Sequence, residues 1–271
     1  MHTYFMQKSN KNKPGSASLF QILPEGLVVD RKWLKQQGFD RPAVDYYLRC
    51  GKLEAVARGA YRRPGPPLKW EHLVYSLQEM GYPVHIGGRS ALDLKGFSHY
   101  LPIKKHKSIE LFGVTNLPAW IQSAKTNATL IAAGKNQVEQ LPRRALETLP
   151  FGHWDWELKF SSTELALLEL MVQIKEADDF SVADVYFESA TVMRPDLVHA
   201  ILKSCTHIKA KRLFLWFSKR HAHQWTEKLN TETIDLGSGK RMIVRGGALD
   251  AQFQITVPKR MKEKRDGKPL F

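Results

Sequence analysis

Twenty-six residues, DRPAVDYYLRCGKLEAVARGAYRRPG from Asp40 to Gly65, set six Arg or Lys against three acids, with tyrosines among them. Guanidinium, ammonium and phenol groups in this density grip phosphate oxygens and meet base edges; none is a catalytic pair on its own. HIGGRSALDL, 85–94, offers a Gly-Gly turn of the kind that holds a triphosphate in nucleotidyl transfer. That chemistry needs paired carboxylates for two metal ions, and here only Asp93 follows, with Lys95 two residues on. The turn therefore reads as a strand-to-helix connection, with Arg89 starting the helix and Arg89 or Ser90 making local hydrogen bonds. CTH at 205–207 with HAH at 221–223 brings four Cys or His side chains into play. The short Cys and His spacings of a zinc site are missing, and both segments read as helical, so histidines on a basic helix surface are expected. No metal, cofactor or catalytic residue is assigned.

The elements that position the first stretch have clear signals. Asp30 caps a helix over RKWLKQQ, Val29 can staple against Leu34, and Gly38 ends the helix. Asp40 caps the next, Pro42 sits in its first turn, and Gly51 stops it. KLEAV and AYRR follow as strands joined through Arg58-Gly59, and Pro64, Pro66 and Pro67 close the unit. Val44, Tyr47 and Leu48 form an apolar stripe that would pack on Trp33, Leu34 and Phe39. Pro42, Asp45, Tyr46 and Arg49 lie opposite. Two capped helices and a hairpin outline a winged helix-turn-helix. In that reading Tyr46 and Arg49 face base edges in the major groove, while Arg58, Arg62 and Arg63, with Lys32 and Arg41, face phosphates. A competing account pairs Asp45 with Arg49 at i, i+4 and neutralises it on a solvated helix, and winged modules also serve as protein interfaces. Arg31 and Lys32 stand at a helix start, where the macrodipole disfavours cations; a phosphate partner or side chains bending into water would each account for them.

Beyond Leu68 helices and strands mix. LKWEHLVYSLQEMGY, GRSALDLKGF, SSTELALLELMVQIK, RPDLVHAILKSC and AKRLFLWFSKRHAHQWTEKL read as helices. LFQIL, 19–23, is a short helix before the winged unit. PVHI, SIELFGV, ATLIAA, KRMIVRG and AQFQITVP read as strands. The expected fold class is α+β: an N-terminal winged helix-turn-helix followed by a larger mixed α+β domain. The divisions are a flexible basic arm over 1–18, the winged unit over 19–67, an α+β domain over 68–258 and a basic tail over 259–271.

Charge follows the same division. The 271 residues carry +14, of which +7 falls in residues 1–67 and +4 in 258–271, so the excess sits at the ends as an electrostatic footprint. Two cysteines far apart argue for a reducing compartment, and no secretory signal or membrane-length apolar run is present, so a cytoplasmic protein away from membranes is expected.

GLVVDRKWLKQQGFDRPAVDYYLRCGKLEAVARGAYRR, then HLVYSLQEM and VHIGGRSALDLKGFSHYL, resembles the AbiEi-type antitoxins of type IV toxin–antitoxin systems. FSSTELALLELM, RPDLVHAILKSC and GKRMIVRGGALDAQFQITVP extend the resemblance from about Leu19 to Pro258. It implies a winged helix that binds double-stranded DNA at inverted repeats in its own promoter and represses the operon. It also implies a C-terminal domain that opposes a nucleotidyltransferase toxin without a stable complex, in abortive infection and phage defence. Winged-helix repressors often bind as dimers, although no residue marks a homodimer surface. Two alternatives stay open: a nucleotide- or RNA-modifying enzyme with a basic substrate-binding module, and an interaction protein that masks a toxin directly.

Overall fold

The computed structural model describes residues 19–97, 108–150 and 156–262. The arm read over 1–18 and residues 263–271 of the tail lie outside the described residues. The chain forms two compact units, Met1–Gly81 with Pro118–Asn127, and Tyr82–Leu117 with Ala128–Phe271.

The first unit begins with α1 (Leu19–Ile22), β1 (Val29–Asp30) and α2 (Arg31–Gln36). The Asp30 carboxylate accepts the Trp33 N–H at 2.7 Å, supplying a partner that the first turn of a helix lacks. Gly38, at φ +90°, turns the chain out of α2. Asp40 repeats the device for α3 (Arg41–Arg49), accepting from the Ala43 N–H at 3.0 Å. β2 (Glu54–Ala57) and β3 (Ala60–Arg62) make the hairpin. β1 joins β3, giving an antiparallel sheet of order β1-β3-β2. The sequence reading had no place for β1, because a strand of two residues shows no alternation.

Leu19, Leu23, Val29, Leu34, Phe39 and Val44 are among the buried residues of one apolar cluster, with Trp33, Tyr47 and Leu48 packed against it. Tyr75 and Met80 reach the same cluster, which draws α4 (Trp70–Glu79) into this unit. Ser76 of α4 is buried, and its Oγ accepts the Val28 N–H at 2.8 Å. The compact unit therefore runs past residue 67. A helix later in the chain, Ala119–Ser123, packs near β2, and Asn127 just beyond it accepts the Trp70 N–H at 3.0 Å.

The second unit contains β4 (His85–Ile86), α5 (Gly88–Leu94) and β5 (Ser108–Phe112). After α6, the Ala119–Ser123 helix already placed, come β6 (Thr129–Gly134), β7 (Leu146–Pro150) and β8 (Glu157–Ser161). The sheet has order β6-β5-β4-β8-β7 and is mixed: β5/β6 and β4/β8 are parallel, β4/β5 and β7/β8 antiparallel. Ser162 caps α7 (Thr163–Gln173), which is buried along most of its length between α5 and later helices. α8 (Ala177–Ser189), α9 (Pro195–Ser204), α10 (Ile208–His221) and α11 (Gln224–Glu227) follow. Phe180 and Phe187 of α8 pack on Phe214, Trp216 and Phe217 of α10, edge-on to Phe214 and Trp216 and, for Phe187, stacked on Phe217.

β9 (Ala248–Asp250) and β10 (Ile255–Val257) form an antiparallel pair, and α12 (Lys259–Lys262) begins the basic tail with Met261 buried. KRMIVRG, 240–246, is not a strand. The Ile243 and Val244 N–H groups both donate to Thr256 Oγ1, at 2.7 and 3.0 Å, and so make no ladder. AQFQITVP is a strand only at Ile255–Val257, because the Asp250 carboxylate turns the preceding residues by accepting from the Gln252 and Phe253 N–H groups.

Glu164, in the first turn of α7, is 3% exposed. Burial alone would raise its carboxyl. Bonds from the Arg194 guanidinium at 2.8 and 2.9 Å and from the Arg194 N–H at 3.0 Å outweigh that and hold it at about 2. Arg194 also reaches Glu147 at 3.1 Å, and Lys95 holds Glu147 at 2.8 Å.

Two predictions follow from these contacts. Ser76→Ala strands the buried Val28 N–H and should cost about 1–3 kcal/mol in urea unfolding. Glu164 is depressed on folding, so its contribution is present above its ordinary value of 4.5 and is lost as pH falls toward about 2. In acid titrations of stability Glu164→Gln should be less stable at neutral pH and flatter than wild type across that interval.

Candidate functional site

α3 can bury only one side. Val44 is fully enclosed, and Tyr47 and Leu48 lie against Trp33, Leu34 and Phe39 as the spacing predicts. Arg41, Pro42, Tyr46 and Arg49 are consequently exposed on the other side, with Asp45 half-buried. Tyr46 keeps 51% of its surface and meets Tyr47 edge-on at 5.6 Å. A side-chain hydrogen bond with Cys50 raises the Tyr46 phenol above its ordinary value. The competing account, in which the Asp45 carboxylate neutralises Arg49, is not what the structure has. The Asp45 carboxylate pairs with Arg41 at 3.7 Å, and Arg49 Nε donates to the Asp45 carbonyl oxygen at 3.4 Å. Side chains lean toward a helix N-terminus, which carries the short Asp45 carboxylate back toward Arg41.

The hairpin divides its cations. Arg58 is exposed at the turn, as is Lys32 in α2. Arg62 is turned inward: it pairs with Glu54 and donates to the Pro66 and Gly65 carbonyls at 2.6 and 3.2 Å. Arg63 lies 4.5 Å over the Phe20 ring and donates to the Leu23 carbonyl at 3.5 Å. Arg31 reaches the Tyr61 hydroxyl at 2.7 Å. Arg41, Tyr46 and Arg49 thus share one open helix face, while Arg62 and Arg63 hold the hairpin and α1. Glu54 is the residue the sequence reading missed. Its position opposite Arg62 in adjacent strands is the signal that would have found it.

The Gly87-Gly88 turn in the second unit is built around carboxylates. Glu169 Oε2 accepts the Gly88 N–H at 2.9 Å and the Ser161 hydroxyl at 2.7 Å, while Oε1 meets His85 Nε2 at 2.7 Å. Glu110 Oε2 accepts the Arg89 N–H at 3.1 Å, and Ser90 Oγ accepts the Glu110 N–H at 2.9 Å. Burial raises the Glu110 carboxyl against the pull of the backbone N–H bonds from Arg89 and Ser90. The amides that could cradle a phosphate are held by the protein's own glutamates, which are distant in sequence and not the local partners expected for Arg89 or Ser90. Asp93 accepts the Tyr186 hydroxyl and lies 3.7 Å from Arg89 Nε.

The Cys and His residues are not on a helix surface. Cys205 ends α9, His207 caps α10 by accepting the Ala210 N–H at 3.2 Å, and Ala222, in the left-handed region, breaks the chain before α11. His221 meets Asp184 at 2.7 Å and His223 the Phe187 carbonyl at 2.8 Å, both on α8. Among the described residues no group of three or more His, Cys, Asp or Glu is arranged to hold a metal. No helix there is long and apolar enough to cross a membrane.

A small unit that displays a basic helix face, followed by a larger α+β unit, is a build used by transcriptional regulators. Two family models match the chain: the transcriptional-regulator AbiEi antitoxin N-terminal domain over residues 12–103, and the AbiEi antitoxin transcriptional regulator of type IV toxin–antitoxin systems over 106–258. The chain belongs to the AbiEi antitoxin family. A crystal structure of the RV2827C protein from Mycobacterium tuberculosis is similar in fold, with a TM-score of 0.52 at 13% identity over 85% of this chain and 86% of that one. No curated protein matches the chain in sequence.

Gly87 has no room for a side chain: a Cβ would stand 2.3 Å from Glu169 Oε2 and 2.6 Å from the Phe112 ring. Gly87→Ala should destabilise the chain by about 3 kcal/mol or more in chemical denaturation. An unchanged midpoint would show that the carboxylates can move aside.

Proposed function

We propose that the first unit is a winged helix that binds double-stranded DNA, with α3 as the reading helix, and that the protein represses its own operon at inverted repeats in the promoter. The observation that carries this reading is the split of α3, in which the Val44 side is enclosed and Arg41, Tyr46 and Arg49 are open. Arg49 would donate two bonds to guanine, Tyr46 would meet a neighbouring base edge, and Lys32, Arg41 and Arg58 would take phosphates. Arg62 and Arg63 act on the wing itself, since their guanidinium groups are already bonded to protein oxygens or laid on an aromatic ring. The second unit serves the antitoxin role against a nucleotidyltransferase-like toxin, as the family membership supports, without chemistry of its own.

Operator binding followed by fluorescence anisotropy across a salt series tests this. Three phosphate contacts give a log–log slope of about −3 from this unit. Arg49→Ala should lower discrimination at one base pair by about 1–3 kcal/mol, and Arg58→Ala should weaken all sequences alike and make the slope shallower by about 1. Arg62→Ala should instead lower the thermal stability of the hairpin unit. If Arg49→Ala keeps both affinity and preference, α3 is not the reading helix.

A further inference from the structure

A cavity of about 510 Å³ opens in the second unit beside β6, the end strand of the mixed sheet. That is the size of a small-molecule site, for which about 300–1,000 Å³ is usual. Ile131, Ala132 and Ala133 of β6, Leu170 of α7 and Val182 of α8 give it apolar surface. Ile131 keeps 44% of its surface exposed there. Arg89 of α5, Glu110 of β5 and Lys175, just past the end of α7, bring charge to it. Asp179 also lines it, but its carboxylate accepts the Lys175 and Glu176 N–H groups at 2.7 and 3.1 Å and so belongs to the start of α8. The cavity is formed in advance. Lys209 Nζ donates to the Val172 and Ile174 carbonyls at 3.0 and 2.6 Å and fixes the end of α7 that borders it.

The opposite charges in this cavity do not close on each other. The Arg89 N–H donates to Glu110 Oε2 at 3.1 Å, so the two side chains start from adjoining points. Yet none of the ion pairs among the described residues joins them. Arg89 Nε comes no nearer than 3.7 Å to Asp93, which also accepts the Tyr186 hydroxyl. A guanidinium carries five N–H donors, more than these neighbours use. Burial raises the Glu110 carboxyl, and bonds from the Arg89 and Ser90 N–H groups and from Gln173 offset that only in part. A cation brought beside such a carboxylate stabilises its ionised form. The lining residues include no aromatic ring on which a base would stack, and the Gly88 and Arg89 amides are occupied by Glu169 and Glu110. A nucleotide is therefore poorly served. A molecule with a cation and an anion side by side on an apolar body matches the cavity group for group.

We propose that this cavity binds a free α-amino acid with a large apolar side chain, Glu110 taking the α-ammonium group, Arg89 the α-carboxylate, and Ile131, Leu170 and Val182 the side chain. Lys175 stands at the cavity as a second cation for the carboxylate. The end of a peptide carries only one of the two charges and leaves either Glu110 or Arg89 desolvated without a partner. The site lies wholly within the second unit and does not depend on the DNA-binding reading of the first.

Isothermal titration calorimetry on the full chain tests this with L-leucine, L-isoleucine, L-methionine and L-phenylalanine, and then with the N-acetylated and the amidated form of whichever binds. At least one of the four should give saturable heat. Each blocked form lacks one charge and should bind about tenfold more weakly or worse, as should the parent amino acid to Glu110→Gln and to Arg89→Gln. Glu110→Gln keeps an oxygen for the Arg89 N–H, so its melting temperature should stay close to that of wild type. If none of the four gives saturable heat, or if a blocked form binds as tightly as its parent, the proposal is overturned. A variant that melts like wild type and binds with wild-type affinity overturns it too. Should either variant unfold, the blocked forms decide the matter on the wild-type chain alone.

Discussion

The seating of Val44 in the apolar cluster of the first unit is the contact on which the orientation of α3 depends. A helix of nine residues has too little surface to bury two faces, so fixing Val44, Tyr47 and Leu48 against Trp33, Leu34 and Phe39 leaves Arg41, Tyr46 and Arg49 outward. The caps at Asp30 and Asp40 set where each helix starts, and Gly38 sets the angle between them. β1, directly ahead of α2, and α4, farther along the chain, complete the support. The Val28 N–H bonded to Ser76 Oγ ties the strand entry to α4 in the same core.

In the second unit the recurring device is a buried or half-buried carboxylate that accepts backbone N–H groups. Glu169 holds Gly88, Glu110 holds Arg89, and Glu164 holds Arg194. Each satisfies donors that water or a ligand would otherwise meet, and each brings together elements distant in the chain. Gly87 is glycine because Glu169 and Phe112 occupy the space a Cβ would need. The motif that most resembles a phosphate loop is thereby explained as packing. Arg212 is the cationic counterpart, organising a loop through four carbonyl oxygens.

Much of this was legible. The capped helices, the hairpin and its Arg58-Gly59 turn, a serine start for α7 at Ser161 or Ser162, of which the structure uses Ser162, and the α+β class all follow from local signals, because caps and turns act over three or four residues. Other features were hidden. β1 is two residues long and takes its strand character from β3, whereas PVHI was legible and supplies β4. α8 went unread although Glu176 and Asp179 form a capping box and Phe180, Ala183 and Phe187 recur at helical spacing, since acids and small residues dilute its apolar stripe. KRMIVRG carries a short apolar, β-branched run like a strand, yet Thr256 Oγ1 takes the amides of Ile243 and Val244.

The sequence by itself determined the basic helix-and-hairpin unit, its open and closed sides, and the excess of positive charge at the chain ends, since these depend on residue type and on spacing within a few positions. Tertiary structure alone decided which cations remain available. Arg62 and Arg63 were indistinguishable from Arg58 as letters, and only the folded hairpin brings Glu54, the Pro66 carbonyl and the Phe20 ring to them. The physical reason is that a charge is disposed of by whatever oxygen or ring lies within a few ångströms, and that neighbourhood is set by how the hairpin pairs and by what packs on it, as Phe20 and Leu23 do on Arg63 from forty residues away.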